Sequence, residues 1–311
     1  MMDKLIITVT CDGTMAFPKN PNSPQPTEFK PIADEYIRSI NAGASLVHTH
    51  GSYTMDTKIQ PDGRQLQSPV IEGWQEITER IYGACGKSVI MQHGLASMRL
   101  EEKLDLWKLL EPDMSSINFN SHDEYFQPDA DVAPNPCYSV HPIPELREYA
   151  SLAKKNGVKL EIECFGTGAF WAIDYIRRGD FWTEDGERQQ EPDLLADPLW
   201  CTFFIAWPGQ GWQPPSARAL FHMADHRPDR VNWNTSCMDP DPAKYWGVIA
   251  QAIIMGGHVR VGMEDGPRLT NGEWAKSNGD LVEKTVRIAK EVGREIASPE
   301  EAREIIGLPQ R

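Results

Sequence analysis

Short apolar runs alternate along the chain with longer stretches in which apolar residues recur every three or four positions, and the alternation repeats eight times. The short runs, at residues 5–10, 45–48, 88–92, 115–119, 158–164, 199–206, 230–234 and 257–262, predict buried strands. The run at 199–206 is apolar throughout, as expected of a parallel strand covered on both faces. Between them, the 3.6-residue period predicts helices over 27–41, 71–82, 98–110, 143–155, 167–178, 216–225 and 243–255. Thr27 is placed to cap the first, which stops at Gly43. Two more helices close the chain, and the second opens on Ser298-Pro299-Glu300-Glu301, a capping box with proline at the first helical position.

Strands alternating with helices imply a parallel sheet, and eight units favour a closed α/β barrel of the TIM (β/α)8 type over an open doubly wound sheet. An extra C-terminal helix and long strand-to-helix loops complete the expected architecture. Residues 1–311 are read as one catalytic domain, within the size such barrels reach. No GxGxxG follows a strand and no GxxxxGK[ST] occurs, so nucleotide-fold fingerprints are missing. Three connections, 51–68, 121–144 and 179–198, read as irregular loops. The first carries the turn signal Asp62-Gly63, and the length of the second suits a lid or a partner contact.

Barrel enzymes place their chemistry at the carboxyl ends of the strands. The second strand ends in Leu46-Val47-His48-Thr49-His50 and the eighth in Gly262-Met263-Glu264-Asp265. Residues two apart on a strand share a face, so His48 and His50 present two imidazoles side by side. Closure brings strand eight near strand two, where Glu264 would complete a zinc site with an open position. Other polar residues occupy equivalent ends: Gln92 and His93, Asn118 and Asn120, Glu161 and Glu163, Asn232 and Asn234. Glu161 and Glu163 line the lumen and pair with Arg or Lys on one reading, while Glu163 meets substrate on the other. Trp207 and Trp212 read as packing residues.

Composition narrows the function further. A net charge of -14 argues against nucleic acid or anionic membrane as partner. The N-terminus lacks the apolar stretch of a signal peptide, and no apolar run would span a bilayer. The six cysteines are scattered without a CxxC pair, which argues against a structural zinc knot or a disulfide framework and fits a reducing cytoplasm.

Taken together, these stretches resemble the β-keto acid cleavage enzyme family. The likeness runs over nearly the whole chain. It is strongest in Ala42-Gly43-Ala44-Ser45-Leu46-Val47-His48-Thr49-His50 and in Gly256-Gly257-His258-Val259-Arg260-Val261-Gly262-Met263-Glu264-Asp265, and continues through Ser277-Asn278 and Leu281-Val282 to Ala302-Arg303-Glu304-Ile305-Ile306-Gly307-Leu308. The resemblance implies a TIM barrel, one zinc held by His48, His50 and Glu264, a homotetramer, and acetyl-CoA as co-substrate. It implies condensation of a β-keto acid with acetyl-CoA and cleavage to acetoacetate and a new acyl-CoA. Arg260 and Asp265 match the family's catalytic pair and Glu163 a family glutamate of the fifth strand. In this chemistry Asp265, oriented by Arg260, is the candidate for proton transfer.

Departures bear on substrate. An aminohexanoate-cleaving member has a glutamate two residues after the glycine of its first loop; here Met15 follows Gly13. The small Ser-Thr-Gly-Gly loop after strand three is Gln92-His93-Gly94-Leu95, and the asparagine after the Glu-Asp pair is Gly266. Substrate contacts are therefore expected from Met15, Gln92, His93, Asn118 and Glu163, with a neutral or anionic β-keto acid preferred over an amine. Two other functions fit His-x-His on a barrel. One is a zinc hydrolase, although amidohydrolase-type enzymes put the pair on the first strand. The other is a non-catalytic metal- or small-molecule-binding protein.

Overall fold

The computed structural model describes residues 3–13, 18–59, 65–95, 98–127, 131, 133, 135–183, 185–209, 213–269 and 272–311. Eight parallel strands close into a barrel in sequence order: β1 (Ile7–Thr10), β2 (Leu46–Thr49), β3 (Ile90–His93), β4 (Met114–Asn118), β5 (Lys159–Cys164), β6 (Leu199–Ile205), β7 (Val231–Cys237) and β8 (His258–Gly262), with β8 returning to β1. Outside them lie α1 (Phe29–Ala42), α2 (Ile71–Cys85), α3 (Leu100–Leu110), α4 (Ile143–Lys155), α5 (Gly168–Arg178), α6 (Ala217–His226), α7 (Pro242–Ile254) and α8 (Asn278–Glu291), and α9 (Pro299–Ile306) ends the chain. The (β/α)8 reading holds.

The apolar strand residues divide between two cores, as alternation on a pleated strand requires. Val9, Val47, Met91, Ile117, Ile162 and Val261 face the helices in one continuous layer. Ile6, Leu46, Ile90, Met114 and Trp200 fill the amino-terminal end of the lumen, where Ala302 and Ile306 of α9 plug it. The plug is secured by the Ser298 capping box and by a buried ion pair from Arg303 to Asp113. Barrel interiors are ordinarily packed with branched apolar residues. Here the layers above the plug are polar instead: Thr8, Ser116, Glu161, Thr202, Asn234 and Arg260 are all essentially buried.

Several expected boundaries shift. α1 begins at Phe29 with Glu28 as its N-cap, and no side chain caps it, so Thr27 does not serve that role. The Glu28 carboxylate instead accepts from the Gln25 amide at 2.6 Å. β7 runs on to Cys237, which puts Asn232 near its start. There Asn232 donates to the Ile305 carbonyl at 2.6 Å, far from the catalytic end of the strand. Each of the three long connections contains an antiparallel hairpin: Tyr53–Ile59 with Gln65–Pro69, His122–Phe126 with Asn135–Ser139, and Asp180–Trp182 with Arg188–Gln190. The Asp62-Gly63 signal lies outside the described residues. No helix among those described is long and apolar enough to cross a membrane.

Candidate active site

The barrel register sets the site. Thr10 stands level with His48, and His48 with Gln92, so all three project from neighbouring strands into the lumen. His48 and His50 approach through Nε2, 3.4 Å apart, and His50 Nε2 lies 3.5 Å from Glu264 Oε1. One ligand atom from each of His48, His50 and Glu264 falls within 4.8 Å of the other two. Two imidazole nitrogens and a carboxylate oxygen, converging from one side, are the donor set of a three-ligand site with an open position. Gly94 makes room for it: a Cβ there would stand 2.6 Å from His48 Nε2 and 3.0 Å from His50 Cε1.

Arg260 lies beneath these groups, buried. Its Nε and Nη2 donate to the two oxygens of Asp265 at 3.0 and 2.9 Å, a bidentate pair, and Nη2 also bonds Glu264. Thr10 Oγ1 donates to the other oxygen of Glu264. The backbone of this turn is held from behind: the Met263 amide donates to Asn278 Oδ1 at 2.7 Å, and Asn278 in turn donates to Glu35. The guanidinium also sits over the Phe204 ring at 5.3 Å, within a cluster of Phe165, Phe204, Trp207 and Met238. Trp207 is a packing residue of that cluster and donates to Ser236 Oγ at 3.0 Å; Trp212 lies outside the described residues.

Crowding of charge in this dry space moves the acidities. Burial pushes the Asp265 carboxyl up and Glu264 adds to it, against the pull of Arg260, leaving it at about 7. Burial pushes Glu163 up to about 8, with Glu161 contributing. Burial also works against the ionised form of Glu264, but Arg260 and the two histidines outweigh it and hold the group well below the usual carboxylate range. Burial, reinforced by Arg260, lowers His48. In His50 the burial effect is overcome by Glu264, and the imidazole rises to about 9.

The structure does not bring all the expected substrate contacts together. Gln92 faces the lumen beside His48, and both its side-chain polar atoms are buried without a hydrogen-bond partner among the described residues. His93, one residue on, points the other way and packs edge-on against Trp74 of α2 at 4.7 Å. Strand alternation thus removes it from the barrel mouth. Asn118 is engaged in holding the second hairpin, donating to Ser139 Oγ at 2.9 Å and lying 3.2 Å from His122 Nδ1. Glu163 stands beside Asn118 in register at the top of β5. Met15 lies outside the described residues. At Gly266 a Cβ would fall 2.2 Å from the Tyr245 ring, so Tyr245 occupies the space that a family asparagine would need.

Sequence reasoning missed two supports. Glu161 reaches across the lumen to His48, with Oε2 at 3.4 Å from Nδ1. The Arg260 charge also acts on it, in keeping with the expected basic partner, although its nearest partner across the lumen is His48. Asn278 was visible only as part of Ser277-Asn278; its role depends on α8 packing behind the β8 turn.

Comparison with known proteins agrees with this architecture. The sequence profile of the family described as beta-keto acid cleavage enzyme matches residues 4–308. The 3-keto-5-aminohexanoate cleavage enzyme of Fusobacterium nucleatum subsp. nucleatum is 33% identical over 317 residues, covering 99% of each chain. The 3-dehydrocarnitine:acetyl-CoA trimethylamine transferase of Rhizobium meliloti is 26% identical over 334 residues, covering 98% of this chain and 97% of the other. Among solved structures, apo ObcA shares the fold with a TM-score of 0.63 at 15% identity, covering 91% of this chain, which spans 65% of ObcA. A profile match from end to end, and a relative one-third identical over its full length, leave no doubt of descent: this chain belongs to the β-keto acid cleavage enzyme family.

Proposed function

We propose that the chain is a zinc-dependent enzyme that condenses a β-keto acid with acetyl-CoA and cleaves the product to acetoacetate and a new acyl-CoA. The observation that carries this reading is the convergence of His48, His50 and Glu264 beside the bidentate Arg260–Asp265 pair. Zinc on those three ligands would act as a Lewis acid on the ketone and carboxylate oxygens of the keto acid. Asp265 takes a proton from the carbon between those two groups, and an acidity near neutral suits a base that must accept and later return it. Arg260 fixes the direction of the carboxylate and adds a cation where negative charge develops. Glu163 and Gln92 are read as substrate contacts, and the buried amide of Gln92, without a partner among the described residues, is suited to a polar group of the substrate.

Met15, in the place of a carboxylate, favours a keto acid without an amine, because a buried cation needs a paired anion. The chain is further read as one catalytic unit, homotetrameric and cytoplasmic. Six cysteines scattered without a CxxC pair favour a reducing compartment.

The test is turnover of a panel of β-keto acids, including matched aminated and non-aminated pairs, with and without acetyl-CoA, alongside elemental analysis. Zinc at one per chain and acetyl-CoA-dependent formation of acetoacetate are expected. Hydrolysis independent of acetyl-CoA would favour a zinc hydrolase. Full zinc in the double variant His48→Ala/His50→Ala would move the metal elsewhere.

A further inference from the structure

Two contacts fix which nitrogen of His48 carries the proton. Nδ1 faces Glu161 Oε2 at 3.4 Å, an ion-pair contact between two buried atoms that have no other partner among the described residues, and an ionised carboxylate can only accept. Nε2 faces Arg260 Nη1 at 3.4 Å, and a guanidinium can only donate. Both contacts select the same neutral tautomer, with hydrogen on Nδ1 and a lone pair on Nε2. Nε2 is the atom that converges with His50 and Glu264. Glu161 is itself held: Thr202 Oγ1 donates to Oε1, the oxygen not facing His48. Glu161, His48 and Thr202 are at most 1% exposed, so bulk water does not intrude on these contacts. The chain runs from β6 through β5 and across the lumen to β2, entirely on inward-facing positions.

We infer that Glu161 is a positioning residue for the metal centre: held by Thr202, it receives the Nδ1 hydrogen of His48 and so directs the Nε2 lone pair to the ion. This rests on the metal reading of the site. Glu161 is not a fourth ligand, because its near oxygen meets the far nitrogen of the imidazole. A carboxylate behind a ligating histidine fixes its ring and raises its basicity, and loss of such a partner typically weakens metal binding about 10- to 100-fold. It also explains why a carboxylate is retained in the lumen of a barrel at a layer ordinarily apolar.

The experiment measures zinc affinity by chelator competition in Glu161→Leu, Glu161→Gln and Thr202→Val, with thermal denaturation of the metal-free proteins as a check on folding. Nitrogen-15 NMR of the imidazoles reports the His48 tautomer in metal-free protein. Glu161→Leu is expected to lose about 10- to 100-fold in affinity and to mix the tautomers. Glu161→Gln, whose amide oxygen still accepts from Nδ1, should recover most of both, and Thr202→Val should fall between. A purely structural role would lower melting temperature without moving tautomer or affinity. Wild-type affinity and an unchanged His48 spectrum in folded Glu161→Leu would overturn the inference. Should the wild-type protein bind no zinc, the metal reading itself fails, and the tautomer measurement still decides whether Glu161 orients His48.

Discussion

At the scale of single residues, burial is the dominant force on the chemistry. Asp265 is the clearest case: its carboxyl is lifted to about 7 by a dry environment while Arg260 holds it in place. Asp265→Asn keeps the volume and one of the two acceptor contacts to Arg260 but removes the proton acceptor. Zinc content and fold should persist while kcat falls about a hundred- to ten-thousand-fold. Wild-type kinetics in that variant would exclude Asp265 from proton transfer. His258 shows the same force far from the site. It accepts from the Ile6 amide at 3.0 Å through Nδ1, and burial with Arg294 nearby lowers it from 6.5 to about 3. The unfolded chain therefore takes up this proton first as pH falls below 6.5, and stability contributed by the neutral form is lost progressively toward pH 3. Between pH 6.5 and 4.5 the loss should be about 2 kcal/mol. His258→Asn keeps an acceptor for Ile6 without the titration, so urea denaturation at the two pH values should show a correspondingly flatter dependence. An unchanged slope would assign the acid sensitivity to other groups. The paired histidines were legible because a two-residue spacing on a strand is a local signal. The contact of Glu161 with His48 was not, because it joins strands that face each other across the lumen.

At the scale of elements, the parallel strands and their helices declared themselves by periodicity, since each must bury a face. The hairpins did not. His-Asp-Glu-Tyr-Phe at 122–126 has no apolar alternation, and that strand is held by backbone pairing to Asn135–Ser139 and by the Tyr125 amide bonding to the Pro208 carbonyl at 3.1 Å. Backbone pairing leaves no mark on side-chain pattern, so these stretches read as loop. The turn after β3 was legible only as sequence, not as a constraint. Its Gly94 lies so close to both imidazoles that any side chain must displace them. Gly94→Ala should thus lose zinc affinity by about tenfold or more, the scale seen when a ligating histidine is misplaced. Its melting temperature in the metal-free state should change little, because the strand ends there. Full zinc affinity in Gly94→Ala would mean that the loop yields and the histidines do not.

At the scale of the whole molecule, charge opposes one of the two proposed substrates. The chain carries -14 overall, whereas acetyl-CoA brings a nucleotide tail of several phosphates. The guanidinium at the centre of the site, Arg260, is 1% exposed and bonded to Glu264 and Asp265. Neutralised there, it projects little field into solvent and cannot steer a polyanion from a distance. Like-charged partners associate more slowly the less their charges are screened. Raising monovalent salt from about 20 to about 200 mM shortens the screening length several-fold, which should increase kcat/KM for acetyl-CoA. A small β-keto acid with a single carboxylate should respond much less, so the same titration with the keto acid limiting provides the control. A fall in kcat/KM for acetyl-CoA with salt would mean that a basic patch elsewhere on the surface, or from a second copy of the chain, receives the phosphates. That outcome would point the search for the coenzyme contacts away from the acidic mouth and toward the lysines and arginines of the surrounding loops.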